Sequence, residues 1–396
     1  MAARMRSLID DATGQAAEGA ITVVDAKTLR LRLQRPDITL IPGMADYPAA
    51  IVHESYDPDA PVSTVVGTGP MRVSVHEPGA LAVLERAGRP WWGDEALAGG
   101  GWHIDRLALV DLGTDPRSWV TAAEEGSVDV LYETIGGYVE AMDALGWRKS
   151  AVDSGSTVVV RPNQTARDET GRQPYASRRV RRALTMAVDN AICLELGIRD
   201  RGIVAENCHV GPMHPAHAPE VTRLPHDPTQ ARAIMVQAGM LDYEHALVSV
   251  DDDLRRPTAD AAAVQLRDAG LRVTRRILPR SAYWSGWTRF PFSTTDWNHR
   301  PLGTQVLSLA YRSGAAWNEF GFADPEFDAA LDEANGILDA DARRAVMARL
   351  QRILVEEGVT IQPFWRVLYR HAAPHVLGAE QHVSYLPQAY KWRLAG

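Results

Sequence analysis

The chain has 396 residues, 45% of them hydrophobic and 23% charged, so it can bury a substantial core, divides by size into roughly two or three domains, and is not intrinsically disordered. Its 42 basic and 50 acidic residues leave a net charge of -8, which opposes a polyanionic partner, and nucleic acid is not expected as one. No run reaches the ~20 apolar residues of a membrane-spanning helix.

Met1 to Arg6 carry no apolar stretch and no cleavage site behind them, so the N-terminus does not read as a secretory signal. Ile21 to Asp25 and the alternating Thr28-Leu29-Arg30-Leu31-Arg32-Leu33 predict strand with one buried face, ended by Pro36. Gly67-Thr68-Gly69-Pro70 leads into a strand from Met71 to Val75. It lacks the helix and the Lys-Ser or Lys-Thr of a phosphate cradle, so it is read as a turn. Asp115-Pro116 opens a helix that Gly126 closes before a strand at Val128-Asp129-Val130. The same grammar returns with Asp227-Pro228 to Gly239, Ala259 to Gly270 before Leu271-Arg272-Val273, and Asp341 to Gly358 before Val359-Thr360-Ile361. Such punctuation predicts an α/β chain with helices packed on mixed sheets.

Between these units, Val180, Ala183, Leu184, Ala187 and Val188 form one stripe of a helix within Pro174 to Asn190, with Ser177 as its N-cap. Arg178, Arg179, Arg181 and Arg182 flank the stripe as a solvated face meeting surface carboxylates. Glu206 to His226 reads as a loop. It holds Cys208 and the weak metal candidates His209, His214 and His217, which sit at no recognised zinc spacing. Cys193 and Cys208, the only cysteines, leave a disulfide and two buried thiols equally open. Tyr283 to Asn318 concentrates aromatic residues among Asp296, His299, Arg300 and Arg312. That composition suits a cleft closing on a small ligand, and for Trp284 and Trp287 it suits a second core equally well. Asp324-Pro325 is a helix start.

The order of several motifs carries a resemblance. They are Gly67 to Pro70, Trp91-Trp92-Gly93, Gly126 to Val130, Val158 to Asn163 followed by the Pro174-Tyr175 turn and the Val180-Arg181-Arg182-Ala183-Leu184 helix, Asp227-Pro228, and Asn318 to Asp328. The chain resembles the extracellular solute-binding proteins of ABC importers, family 5, the peptide/nickel/opine class. The resemblance implies a two-lobed periplasmic-binding-protein-like fold with mixed sheets and a hinge, N-terminally incomplete. Residues 1–66 would be a remnant of the family's small extra domain, 67–160 with 367–396 the first lobe, and 161–366 the second. It further implies no enzyme activity and no cofactor, a small-molecule or peptide ligand, an ABC permease as membrane partner, and a periplasmic or extracellular location.

For the site, peptide-binding members of the family show a Trp followed three positions later by an Asp that holds the ligand's α-ammonium group. Trp297 matches, but Arg300 occupies the Asp position, and a guanidinium binds a carboxylate or phosphate instead. Asp296 is the alternative anion, and His299, Trp317 and Asn318 are expected to face the ligand. Two other readings stand beside this one. The first is a metal or metal-chelate carrier of the same fold, using the histidine loop. The second is a hydrolase, for which the chain has no Gly-x-Ser-x-Gly, His-Glu-x-x-His, Cys-x-x-Cys or dinucleotide fingerprint.

Overall fold

A computed structural model describes residues 5–10, 12–45, 49–60, 62, 65–96 and 101–395. The chain forms two compact units, one of Met1–Ala50 with Asp153–Arg366 and the other of Ile51–Val152 with Val367–Gly396.

The first unit is built on a mixed four-stranded sheet in the order Arg272–Leu278, Glu244–Val250, Phe292–Trp297, Thr157–Pro162. The first three strands run parallel and the last antiparallel, with Trp297 opposite Thr157 and Phe292 opposite Pro162. Between Glu244–Val250 and its parallel edge neighbour Arg272–Leu278 the chain crosses over through the helix Arg255–Asp268, whose Ala259, Ala262, Ala263 and Leu266 are buried. Small side chains let a crossover helix lie close to a sheet. Thr157–Pro162 is buried at every position, as its continuous Val158-Val159-Val160 run implies. Helices Gly303–Ala310, Pro325–Gly336 and Ala340–Glu357 surround a core that includes Tyr311, Phe320, Phe327, Leu350 and Val359. Asp227 and Asp324 cap as expected, accepting from the N–H groups of Gln230 and Phe327, whereas the helix expected from Asp341 starts one residue earlier and is capped by Asp339, which accepts from the Ala342 N–H.

The arginine-rich helix spans Arg178–Met186, and Asp189 opens a second helix, Asn190–Ile198. Ser177 holds the N-cap position, yet its side chain makes no capping bond. The arginines do more than line a solvated face, because they close the C-terminus of Ala340–Glu357. Arg178 and Arg182 donate to the Glu356 carbonyl at 3.0 and 2.9 Å, and the buried Arg181 donates to the Glu357 carbonyl at 3.0 Å and its carboxylate at 2.9 Å. Cations on the last carbonyls of a helix satisfy orphan acceptors and oppose the negative end of its dipole. Gly358 makes the approach feasible. It sits at φ +59°, and a Cβ there would lie 2.8 Å from the Arg182 nitrogen.

The second unit contains a three-stranded antiparallel sheet, Met71–Glu77, Leu81–Arg86 and Arg106–Val110. Helices Pro116–Glu124 and Tyr138–Ala144 enclose Ala123, Leu131 and Met142, and Asp115 caps the first through the Arg117 N–H. Trp102, Ala372, Val376, Ala389 and Trp392 form a further cluster.

Three expectations need correction. Ile21–Asp25 and Thr28–Leu31 form a separate hairpin exposed on nearly every residue, because alternation marks an apolar face but supplies nothing to cover it. Val128 to Val130 and Val359 to Ile361 are not strands; each makes one isolated bridge, Val130 to Ala372 and Ile361 to Val160. Of the two alternatives left open for the cysteines, the structure has free, buried thiols at Cys193 and Cys208, which is no correction.

Candidate functional site

The end of the strand Phe292–Trp297 is held by a carboxylate that sequence reasoning passed over. Glu319 accepts the Trp297 indole N–H at 2.7 Å and the Thr295 hydroxyl at 2.5 Å, and it lies 2.6 Å from Nε of Arg161 in an ion pair with both side chains fully buried. Arg161 and Asn163 also donate to the Glu319 carbonyl at 2.7 and 2.8 Å. Burial raises the Glu319 pKa, and Arg161, Thr295 and Trp297 work against that rise. The available signal was the charge in Val158-Val159-Val160-Arg161, since a central strand buries Arg only when a partner is waiting.

From this node an edge-to-face and stacked series of rings continues through Trp317, Trp297, His209, Trp365, His214 and His299. Successive centroids are 6.1, 5.7, 5.9, 5.8 and 6.2 Å apart. Trp365 was not singled out from the sequence, because nothing local distinguishes it from a core residue. His299 accepts the Gly155 N–H on Nδ1 at 2.9 Å, and its backbone N–H donates to the Ser156 hydroxyl at 3.0 Å. Arg300 donates from Nη1 to the His299 carbonyl at 3.1 Å.

Asp296 and Asn318 are engaged within the fold. Arg255 donates to the Asp296 carboxylate from Nε at 2.9 Å and again from Nη2, binds Asp252 as well, and lies 5.3 Å from the Trp284 ring centroid. Burial opposes the Arg255 charge, but the two carboxylates outweigh it and raise its pKa. Asn318 donates to the Phe322 and Arg312 carbonyls at 2.7 and 3.0 Å and tightens the loop before Pro325–Gly336. Trp284 and Trp287 pack around Tyr283, Val248 and Val250 as a satellite core.

Of the histidine loop, His209 meets the Tyr311 hydroxyl at 2.9 Å and His214 accepts the Gly211 N–H at 2.9 Å. Burial above all pushes each down to about 3, with the Arg300 charge adding to the effect at His209, so both imidazoles are neutral. Burial also lowers His217, and it pushes the Cys208 thiol up to about 12. Among the described residues no group of three His, Cys, Asp or Glu side chains is placed to hold a metal ion. In the second unit, Thr134, His371 and Asp143 form a hydrogen-bonded chain at 3.0 and 3.1 Å. Thr134 is only 1% exposed, out of reach of a substrate.

A search of curated proteins finds no match. Solved structures give the fold. The periplasmic binding protein DppA of Helicobacter pylori, ABC transporter-associated and in complex with the peptide STSA, has a TM-score of 0.81 at 15% identity, over 100% of this chain and 81% of that one. The oligopeptide-binding protein AppA of Bacillus subtilis, in complex with a nonapeptide, has 0.79 at 16% identity, over 95% and 79%. The murein tripeptide binding protein MppA of Escherichia coli has 0.82 at 16%, over 95% and 75%. The α/β architecture is therefore that of the two-lobed periplasmic binding proteins. The model of bacterial extracellular solute-binding proteins, family 5 (middle), matches residues 4–319, and the chain belongs to that family.

Proposed function

We propose that this protein captures a peptide-like or anionic small solute between two lobes and delivers it to an ABC permease, outside the cytoplasm, without chemical turnover. Family membership supports the solute-binding role, and the peptide complexes of the neighbours support the ligand class. Among the described residues no helix is long and apolar enough to cross a membrane.

The observation that carries the anionic preference is the pairing of Asp296 with Arg255. A carboxylate already neutralised by a guanidinium is a poor anchor for a ligand ammonium, because the ligand would have to displace a charge-assisted bond. Arg300, at the tryptophan end of the same strand, is then the anchor for a ligand carboxylate or phosphate, with Trp297, Trp317 and His299 beside it and Asn318 shaping the loop.

A thermal-shift screen against di- and oligopeptides, acidic sugars, phosphorylated opines and nickel tests this. A specific ligand at a hundredfold excess over its Kd stabilises the native state by about 2.7 kcal/mol. Anionic compounds should shift the midpoint of the parent chain and lose that effect in Arg300→Ala. Shifts that survive Arg300→Ala unchanged would remove Arg300 from the site, and shifts with nickel alone would replace the solute with a metal.

A further inference from the structure

Arg300 lies in the short segment between the strand Phe292–Trp297 and the helix Gly303–Ala310, within the first unit and partly exposed. A charge presented from such a connection is mobile unless something outside the segment holds it. Here the restraint comes from Ser154-Gly155-Ser156, which leads into Thr157–Pro162, the antiparallel neighbour that sets Thr157 opposite Trp297. His299 meets these residues twice. Its backbone N–H donates to the Ser156 hydroxyl, and its Nδ1 accepts the Gly155 N–H. The receiving residues are themselves fixed: the buried Ser154 hydroxyl donates to the Arg366 carbonyl at 2.7 Å, and the Arg366 N–H donates to the Ser156 carbonyl at 2.8 Å. On the other side, the His299 carbonyl receives Nη1 of Arg300, so one residue links the guanidinium to the strand pair.

The His299 ring has little room to turn. It lies parallel to the ring of the buried His214, with planes 5° apart. A Cβ on Gly155 would sit 3.0 Å from Nδ1 of His299 and 3.3 Å from Nε2 of His214, so only glycine leaves space for the amide to reach the imidazole. Because Nδ1 is an acceptor, the neutral ring carries its proton on Nε2. A two-pronged contact with a carboxylate or phosphate needs the guanidinium plane in one orientation, and a side chain already oriented loses less freedom on binding.

We propose that His299 is the positioning residue of the anion anchor: its Nδ1, held on the Gly155 amide, fixes residues 298–300 so that Arg300 meets an acidic group in one orientation. This rests on the reading of Arg300 given above.

The test is isothermal titration of acetyl-Ala-Ala-Ala and its C-terminal amide, which differ only in the carboxylate. The proteins are the full chain and its Arg300→Ala, His299→Ala, His299→Asn and Gly155→Ala variants. A charge-assisted bond should make the parent favour the acid over the amide by about 10- to 100-fold. Freeing one long side chain should cut that ratio by roughly 2- to 10-fold in His299→Ala and Gly155→Ala. His299→Asn places an amide oxygen where Nδ1 was and should restore the ratio. A purely structural loss would weaken both peptides together and leave the ratio alone. A ratio unchanged in His299→Ala, or lost equally in His299→Asn, overturns the positioning role and leaves Arg300 as the anchor; if Gly155→Ala does not fold, His299→Ala decides. Equal binding of both peptides by the parent, a ratio that survives Arg300→Ala, or no binding at all removes the anchor and the positioning role together.

Discussion

The Arg161 and Glu319 pair makes a sharp prediction about what holds the Trp297 end of its strand. Both side chains are fully buried, their charged atoms lie 2.6 Å apart, and the carboxylate also receives the Thr295 and Trp297 donors. Glu319→Gln keeps the shape but strands a guanidinium in a low-dielectric interior, and Arg161→Met strands a carboxylate. Each single change should cost about 3–5 kcal/mol, because an uncompensated buried charge costs more than the pair contributes. In the double variant no charge is left unpaired, so the total should stay near one single cost and the coupling should reach about 3 kcal/mol. Urea unfolding of the four forms at pH 7, compared at matched slopes, measures this cycle. Single costs that simply add would refute the reasoning, since they would mean that each charge finds other compensation.

Acid should weaken the first unit steeply. His209 and His214 are held down to about 3 and His245 to about 4, chiefly by burial, against an ordinary value near 6.5. The folded pKa values lie below the unfolded ones, so the unfolded state binds more protons. Stability is complete above about pH 6.5 and is lost as pH falls below it, by about 1.4 kcal/mol per pH unit for each histidine. Urea midpoints from pH 7.5 to 5 should show the fall, and His245→Gln should remove about a third of the slope; a flat profile would contradict the burial assigned to these rings. Gly358→Ala forces a Cβ to within 2.8 Å of the Arg182 backbone at positive φ, and it should lower stability by about 1 kcal/mol or more. An unchanged melting temperature would mean that the arginine-capped helix end relaxes freely.

Much of the local architecture follows from short-range rules in the sequence. Asp115, Asp227 and Asp324 cap the helices they precede, Gly67 to Pro70 turns into the strand Met71–Glu77, and Val158-Val159-Val160 is the buried strand its composition implies. These hold because a cap, a turn or a continuous apolar run involves only a few neighbouring residues. The family is legible for the same reason, through motifs of a few residues each in a preserved order.

Only the tertiary structure decided which charges and rings meet. Arg161 finds Glu319 158 positions away, and Arg255 finds Asp296 at a separation of 41, through strand register and a crossover helix. Residue types alone therefore made Asp296 look like an open anion when it is a neutralised one. Trp365 enters the ring series from a distant strand, and the arginines of Arg178–Met186 find helix-end carbonyls that residue types do not reveal. The apolar alternation of the Ile21–Asp25 hairpin carries no information about whether another surface covers it. Propensity acts over a turn or two, whereas ion pairs and ring contacts depend on where whole elements come to rest.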